Sequence, residues 1–393
     1  MGITTSDVLL LAARYGAKKV EEQSDLSAPF AAKEMTTIKQ EGQTGYVTIK
    51  TGGLSSTQFL ADGAALPTGS NIQPLQMTYI PRHLVTRLTL PRGGLELCKD
   101  VKDGVALVME ELDTAASDVA RQKGRAVFTS QITLATECSA NAGSSITVSD
   151  ALGYRIGATV TLGSQATPAT RETAVVESVD FVSGVITFTA ALPVSITGLS
   201  AADVIAFLGN AESNSPESLD NVTSASADVY GKSASDAGFE EWKGTQVASG
   251  GTISTGSLRE IHDQIRIRRG QEIDCVVTNP IQMTNYLDLF TSNERFQRGD
   301  VLDNYALLPT FDGKKFVVDP NCPRSKAYLV NKKDVLIHEF RAFGPVVDGD
   351  KRSSGMGAAI VSQNTFSWDV QMHESMNLRV LHRAGCGALT GLT

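Results

Sequence analysis

Alternation of apolar and polar residues marks three segments in the N-terminal part of the chain, 46–50, 77–80 and 84–90. A period of two predicts β-strands with one buried face. Segment 51–73, between the first two, is rich in Gly, Ser, Thr and Ala and has little to bury. The pattern predicts a long hairpin. Because a lone two-stranded hairpin is marginal in water, it must rest on the rest of this chain or on another copy.

Residues 99–129 carry the clearest helical pattern. Their apolar residues recur at spacings of three and four, which draws one stripe along a helix. The stripe consists of Val101, Val105, Val108, Leu112, Ala116 and Val119. At 1.5 Å per residue such a helix is roughly 35–45 Å long. We expect a structural rod whose last turns carry basic residues, as the helix dipole favours.

An arm, residues 1–33, precedes these elements. Thr5 or Ser6 can cap a short helix over 7–15, and the polar run 18–25 has no apolar partner of its own. Two interpretations stay open: a frayed terminus, or an arm that docks on a neighbouring molecule.

Residues 144–209 are typical of a separate β module. Strands are predicted at 145–149, 159–162, 172–179, 185–190 and 203–208, with turn residues between them. Five short strands at regular spacing favour a small barrel or sandwich. Over 132–214 there are 7 acidic residues, 2 arginines and no lysine, so the net charge is 2 − 7 = −5. We expect an insertion with its own small core and an acidic surface.

The C-terminal half shows an α/β pattern. Residues 211–256 are rich in Ser, Gly and Ala and are expected to be mostly loops. A helix begins near 257 and ends at Gly270, a strand follows at 274–277, and Thr278 or Asn279 caps a helix with Pro280 at its first position that runs to about 290. Further strands are predicted at 315–318, 327–330, 335–339 and 367–381, before a Gly-rich tail at 384–393.

Composition narrows the class of protein. A chain of 393 residues allows two or three domains, and 41% hydrophobic with 20% charged residues argues against a disordered chain. The net charge of −8 argues against a sequence-specific DNA-binding protein, because such a protein should be basic. No apolar stretch is long enough to span a membrane, and no basic residue precedes the short apolar patch 8–13, so we expect a soluble protein made in a cytoplasm. The five cysteines are scattered and never spaced C-x-x-C, which suits reduced thiols.

The search for catalytic chemistry is mostly negative. The chain has neither a phosphate-binding P-loop nor a nucleophile elbow, and the sequence 355–357 (Gly-Met-Gly) lacks the third glycine of a dinucleotide fingerprint. The remaining candidates each have a simpler structural explanation: His83, His262, His338, His373, His382, Asp348, Asp350, Asn221, Arg266, Arg268 and Arg269. We therefore predict no catalytic, cofactor-binding or metal-binding residue, and no enzyme.

The order of these elements resembles the major capsid proteins of tailed bacteriophages, which have the HK97 fold. The matching stretches are 1–33, 34–97, 99–128, 257–340 and 361–383. Two stretches are especially similar to the family: 275–280 with the helix that follows it, and the C-terminal stretch 369–392. The β module resembles the inserted domains that some members carry.

The resemblance implies an α+β, HK97-like fold with an inserted small all-β domain. Its expected segments are an N-terminal arm (1–33), an extended loop (34–98), the spine helix of a peripheral domain (99–131), the inserted β domain (132–214), an axial domain with connecting strands (215–345), and a C-terminal return to the peripheral domain (346–393).

The function that the resemblance implies is a structural one. Pentamers and hexamers of the chain would self-assemble into an icosahedral shell around double-stranded DNA, which they contact non-specifically. A portal and a separate scaffolding protein would be its partners, with no membrane, and the virion capsid would be assembled in the host cytoplasm. The alternative is an encapsulin-like bacterial nanocompartment shell protein that encloses a cargo enzyme.

Overall fold

The computed structural model has three sheets, a separate two-stranded hairpin and four α-helices in its described part. It describes residues 28–39, 42, 44–51, 59–62, 65, 73–91, 101–129, 132–133, 143–147, 154, 156–164, 172–180, 183–192, 204–208, 216–233, 242–269, 272–291, 310–345, 359–361 and 367–393.

The described strands, in chain order, are β1 Thr37–Lys39, β2 Gly45–Thr51, β3 Gln73–Tyr79, β4 Arg82–Pro91, β5 Ile132–Thr133, β6 Ser145–Thr147, β7 Thr159–Ser164, β8 Glu172–Asp180, β9 Val185–Phe188, β10 Val204–Leu208, β11 Thr245–Ala248, β12 Cys275–Thr278, β13 Thr310–Phe311, β14 Lys314–Val318, β15 Lys326–Val330, β16 Val335–Pro345, β17 Ala359–Val361, β18 Ser367–Val380 and β19 Gly387–Thr390. The helices are α1 Val101–Phe128, α2 Leu219–Thr223, α3 Thr255–Arg269 and α4 Pro280–Thr291, with a π-helical turn at Phe30–Glu34 and a 3₁₀ turn at Arg383–Gly385.

The long strand β18 organises the first sheet. It pairs antiparallel with β4, from Met376 opposite Arg82 to Ser367 opposite Pro91. On its other side it pairs with β16 and β17, and β1 adds to β16 in parallel. Helix α1 packs on one face of this sheet, where its Ala116 contacts the sheet's apolar side chains.

The long helix predicted over 99–129 is confirmed. Helix α1 has 28 residues, which makes it about 42 Å long at 1.5 Å per residue. Its buried positions over 114–128 recur at spacings of three and four, as expected for one apolar stripe. Of the predicted stripe, Ala116 and Val119 are buried, and the side chains before residue 114 lie outside the described ones.

A second sheet has the order β11-β19-β15-β12-β14-β13 and is covered on both faces. Helices α3 and α4 pack on one face against residues such as Val276 and Phe316, and the main core packs on the other against Cys275 and Val277. Burial on both faces explains why β12 is apolar throughout until Thr278, without alternation. As predicted, this strand leads into α4 with Pro280 first, and the Asn279 side chain accepts a hydrogen bond from the backbone N–H of Ile281 (3.1 Å).

The five strands predicted in the β module are all present as β6–β10. With β5 they form a sheet of order β5-β10-β7-β8-β9-β6. The sheet has a hydrophobic cluster of its own, which includes Tyr154, Val160, Ile186 and Phe188. The first and last strands of the module, β5 and β10, are neighbours, because Thr133 pairs with Ile205.

Two expectations for the second half of the chain are wrong in part. Within 211–256, expected to be mostly loops, the structure places α2 and β11, and Leu219 and Val222 are fully buried. The C-terminal residues 384–393 are not a tail, because β19 lies inside the second sheet between β11 and β15. The stretch 346–393 thus contributes strands to two different sheets. The predicted helix 7–15 and the polar run 18–25 lie outside the described residues.

Candidate functional site: the hairpin and its anchorage

The hairpin β2–β3 is the predicted long hairpin, with Gly45 opposite Tyr79 and Thr51 opposite Gln73. Alternation gives it two unlike faces. One face is apolar and lies on the main hydrophobic core through Val47, Ile49, Met77 and Tyr79. The other face is exposed and carries Tyr46, Thr48, Gln76 and Thr78. The base of the hairpin therefore rests on its own chain.

Tyr79 fixes the base of the hairpin to the first sheet. Its ring stacks on Tyr230 with centroids 5.0 Å apart, and its hydroxyl hydrogen-bonds to Nδ1 of His338 in β16. Burial raises the pKa of Tyr79 to about 12, so the hydroxyl is a donor at neutral pH. Burial and the charge of Arg379 lower the pKa of His338, which favours the neutral imidazole that accepts this bond.

Beyond the base, the described residues of the hairpin loop are exposed. Phe59 is 108% exposed and Leu60 42% exposed, and Ala61 and Asp62 next to them are also exposed. The phenylalanines in the described cores are buried or partly buried, so the full exposure of Phe59 sets it apart from them. Exposed large apolar side chains of this kind mark a surface that another molecule can cover.

The end of the arm docks on its own chain. Phe30 is fully buried, its ring lies 5.5 Å from that of Phe128 at the end of α1, and its backbone N–H donates to Asp319 Oδ2 (3.1 Å). Glu34 forms ion pairs with Lys315 (2.6 Å) and Lys332. Residues 28–33 are therefore not a frayed terminus, and the contact they make here is with their own chain and not the predicted one with a neighbouring molecule. Residues 1–27 lie outside the described ones.

The Glu34 carboxylate is the polar part of this contact. Burial alone would raise its pKa, but hydrogen bonds and charges from Lys315 and Lys332 outweigh burial and lower the pKa. A carboxyl group whose pKa is lowered in the folded state contributes stability above its ordinary pKa and loses it as the pH falls through the folded value. The arm contact is therefore strongest at neutral pH.

A buried ion pair joins α1 to the first sheet. Lys123 Nζ lies 2.5 Å from Glu374 Oε1, and the Glu374 side chain is completely buried between the helix and β18. Burial raises the pKa of Glu374, and the charge of Lys123 opposes the rise. Since the second oxygen, Oε2, has no partner in the described part of the chain, Lys123 alone compensates this carboxylate there.

The structure places the described cysteines in the cores and one candidate arginine beside a backbone loop. Cys275, Cys322 and Cys386 are buried free thiols, and burial raises the pKa of Cys275 and of Cys386 to about 12, so both stay unreactive. Arg268 donates to the backbone carbonyls of Lys243 (3.4 Å) and Gly244 (3.1 Å). These bonds give Arg268 a local structural role.

The other candidates are scattered. Asp348, Asp350 and residues 355–357 lie outside the described part of the chain. Within it, no group of three or more His, Cys, Asp or Glu side chains could hold a metal ion. No described helix combines the length and the apolar character that crossing a membrane requires.

Sequence reasoning missed one pair of these residues. His83 and His373 lie with ring centroids 5.6 Å apart, because β4 and β18 pair across nearly 300 residues of chain. The alternation of 84–90 and 367–381 predicts both strands. Nothing local in the sequence shows that they are partners.

Comparison with solved structures gives two informative matches. The capsid asymmetric unit of cyanophage A-1(L) aligns over 93% of this chain and 93% of its own, with a TM-score of 0.56 and 12% identity. The capsid of a native GTA particle aligns over 93% of this chain and 91% of its own, with a TM-score of 0.50 and 10% identity. The chain has the fold of a phage capsid protein. At these identities the likeness concerns the fold and not the details of any site.

The capsid fold confirms the resemblance that the order of elements suggests, and it does so over nearly the whole length of the chain. No protein-family model and no curated protein sequence matches the chain. The low identity to both solved structures agrees with this absence.

Proposed function

We propose that the chain is a major capsid protein, a structural subunit that self-assembles into a closed shell. The observation that carries the proposal is the capsid fold, aligned over 93% of both chains at a TM-score of 0.56. Fold alone is an analogy for function, so the site must agree with it. It agrees because Phe59 and Leu60 are exposed on a loop that the chain does not cover, which suits contact with a sister copy.

Shell assembly also suits the anchorage of the hairpin. One face of its base is bound to the core, so the loop is held out from a fixed support and little ordering is left for the moment of contact. Each contact between copies can be modest, since a subunit in a closed lattice makes several at once and avidity stabilises the whole.

The finer points are part of the same proposal. Subunits form pentamers and hexamers around the axes of an icosahedral shell that encloses double-stranded DNA, with heterologous contacts that close each ring. A separate scaffolding protein and a portal assist assembly in the host cytoplasm. The net charge of −8 supports a wall that does not grip DNA tightly. The role is structural, not catalytic.

The division of the chain into six segments belongs to the proposal as well: arm 1–33, extended loop 34–98, spine helix 99–131, inserted β domain 132–214, axial domain 215–345 and C-terminal return 346–393. The separate hydrophobic cluster of the β module supports one of these units.

Particle imaging and sedimentation of the full chain, alone and co-expressed with a scaffolding partner, test the proposal. We expect closed, roughly spherical shells. The variant with Phe59→Ser and Leu60→Ser should keep the unfolding midpoint and lose assembly, whereas the matched control Ala61→Ser, at an exposed neighbouring position, should still assemble. Monomers under every condition, or full assembly of the double variant, would contradict the proposal.

The contents of the shells separate the two kinds of container. Nuclease-resistant double-stranded DNA in particles from infected or lysogenic cells supports the capsid. A single co-purifying enzyme without nucleic acid would instead identify a nanocompartment.

A further inference from the structure

Three histidines surround the point where the hairpin joins the first sheet. His83 stands opposite Ser375 in the pairing of β4 with β18, and His373 precedes Ser375 by two residues, so it points to the same face. The Ser375 hydroxyl lies between the two imidazoles, 2.6 Å from Nδ1 of His83 and 3.1 Å from Nε2 of His373. One serine thus bridges two strands through two titratable rings.

The third histidine, His338, binds the hairpin itself. Its Nδ1 pairs with the hydroxyl of Tyr79, the last residue of β3, and only 1% of the residue is exposed. The other ring nitrogen, Nε2, is buried with no partner in the described part of the chain. When Nδ1 accepts from Tyr79, the neutral ring carries its one proton on Nε2. A second proton, on Nδ1, would add a positive charge at a buried position where the Nε2–H finds no acceptor among the described residues.

Other groups hold this joint as well. Asn377 of β18 donates from its side chain to the backbone carbonyl of Ile80 (2.8 Å), next to Tyr79. Several charged groups lie around the three histidines: Arg341 and Glu339 of β16, Arg379 and Glu374 of β18, Arg82 of β4, Lys123 of α1, and Glu217, whose backbone N–H donates to Asn377 Oδ1. Glu374 points to the opposite face of the sheet, where Lys123 binds it.

The serine bridge suits neutral imidazoles. The Ser375 hydroxyl has one proton to donate and can accept from a second group, so it can donate to one ring and accept from the N–H of the other. When the His373 ring takes up a second proton it can no longer accept from Ser375, and its charge lies beside the His83 ring, with centroids 5.6 Å apart.

The pKa directions agree with this geometry. Burial, Arg341 and His83 lower the pKa of His373 from its ordinary 6.5, and burial and Arg379 lower that of His338. A base whose pKa is lowered in the closed joint binds protons more weakly there than in the open joint. Its contribution to stability is complete above the ordinary pKa of 6.5 and is lost as the pH falls below that value.

We propose that His373 and His338, with His83 bound to the same serine as His373, form an acid-sensitive joint, which holds the hairpin and the adjoining end of β4 on the sheet at neutral pH and loosens them when the imidazoles of His373 and His338 take up protons. The inference does not rest on the proposed function, because every contact in it lies within one chain. It adds a regulatory property, a hairpin whose anchorage depends on pH.

Amide hydrogen exchange of the unassembled full chain, at pH about 7.5 and about 5.5 and corrected for intrinsic exchange rates, tests the joint across the titration range of histidine. The amides of Tyr79 and of residues 82–86 should lose protection about fivefold or more in acid, the factor that one lost hydrogen bond gives. The β7–β8 ladder is the internal reference, since residues 132–214 contain no histidine. Its protection should stay constant.

The triple variant His83→Gln, His373→Gln and His338→Gln keeps hydrogen-bonding groups that do not titrate. It should show equal protection at both pH values, whereas the control His262→Gln, in α3, should behave like the parent chain. Equal protection of the parent chain at both pH values, or an acid loss that persists in the triple variant, would overturn the joint. If the triple variant fails to fold, the imidazole resonances of the parent chain decide, because ordinary pKa values for His338 and His373 would also overturn it.

Discussion

At the scale of single residues, Arg383 is a buried cation held by backbone carbonyls. It is fully buried in the turn between β18 and β19, and burial lowers its pKa to about 10, which still leaves it charged at neutral pH. Its guanidinium donates to four carbonyls around the end of α2, those of Asn221 (2.6 Å), Val222 (3.0 Å), Ser224 (2.7 Å) and Ala227 (3.0 Å). Carbonyls left over at a helix C-terminus are natural acceptors for a cation.

Replacing Arg383 with methionine should therefore unfold the neighbourhood of α2. The variant leaves several buried carbonyls without donors, and each unsatisfied carbonyl costs about 1–3 kcal/mol. We therefore expect the free energy of unfolding to fall by roughly 3 kcal/mol or more. Urea unfolding with matched protein concentrations measures it. The control Arg259→Met, at an exposed position of α3, should change stability by no more than about 0.5 kcal/mol. A similar small effect at Arg383 would mean that its bonds are dispensable.

The ion pair of Lys123 and Glu374 gives a second prediction at this scale. Lys123→Met leaves a carboxylate completely buried, which should cost about 3–5 kcal/mol. The double variant with Glu374→Leu should recover most of this loss, because the buried charge is removed together with its partner. A double-mutant cycle on unfolding free energies checks both statements.

The stability of the Lys123→Met variant should depend on pH in a definite direction. Burial already raises the pKa of Glu374, and loss of Lys123 removes the charge that opposes the rise. The folded variant should therefore bind a proton that the unfolded chain does not, so its stability should rise as the pH falls from neutral toward the ordinary pKa of 4.5. Stability that falls over this range would contradict the assignment.

At the scale of elements, the sequence predicts what is local. Alternation predicts β2, β3 and β4, and spacings of three and four predict α1 and α3, because each pattern is set by the burial of one face. Asn279 and Pro280 predict the start of α4 from capping chemistry. The turn at Asp312 and Gly313, with φ of 51° and 75°, is a further local signal that could have predicted β13 opposite β14.

What the sequence does not predict depends on partners far along the chain. Strand β19 is short and rich in Gly and Ala. It is buried because β15 and β11 flank it and hydrophobic clusters cover both faces of the sheet. The bridge between His83 and His373 requires the register of β4 on β18, which no local pattern fixes. Helix α2 has five residues, too few for a periodic stripe, and Arg383 stabilises it from a distant turn.

Contact between the arm and α1 is a feature of two elements that one substitution can test. A Cβ atom at Gly124 would lie 2.6 Å from Cβ of Ala28 and 2.7 Å from Nδ2 of Asn321. Gly124→Ala should gain about 1 kcal/mol of helix propensity and lose more through displacement of residues 28–31, with a net loss of about 1–3 kcal/mol. Thermal unfolding and limited proteolysis of the arm measure it.

Gly251 is the matched control, because a Cβ there meets nothing within 4 Å and its backbone is not in the left-handed region. Gly251→Ala should leave the midpoint of thermal unfolding and the proteolysis pattern of the arm unchanged. If Gly124→Ala were as stable as the parent, the arm would not pack as closely on α1 as the structure places it.

At the scale of the whole molecule, folding and assembly depend on different residues. The main core gathers the end of the arm, one face of the hairpin, the end of α1 and one face of the second sheet. Each of these is buried within one chain, whereas Phe59 and Leu60 are exposed. Core variants should therefore lower stability and assembly together, and variants of the exposed loop should lower assembly alone.

The β module offers the sharpest test at this scale. Its hydrophobic cluster shares no residue with the main core or with the α3–α4 cluster. Its entry and exit strands are adjacent, since Ile132 pairs with Ala206, and paired Cα atoms lie about 5 Å apart. Replacing residues 132–214 with a short glycine linker should therefore leave the rest of the chain folded, with its unfolding midpoint nearly unchanged.

The excised module, residues 130–210, should in turn fold alone. Its cluster has eight buried residues, and its six strands form one sheet, more than the three that independent stability requires. Dispersed amide resonances of the fragment and a cooperative melt of the deletion variant are the expected results. A fragment without dispersion, or a deletion variant that aggregates on expression, would show that the module and the capsid fold stabilise each other and are one folding unit.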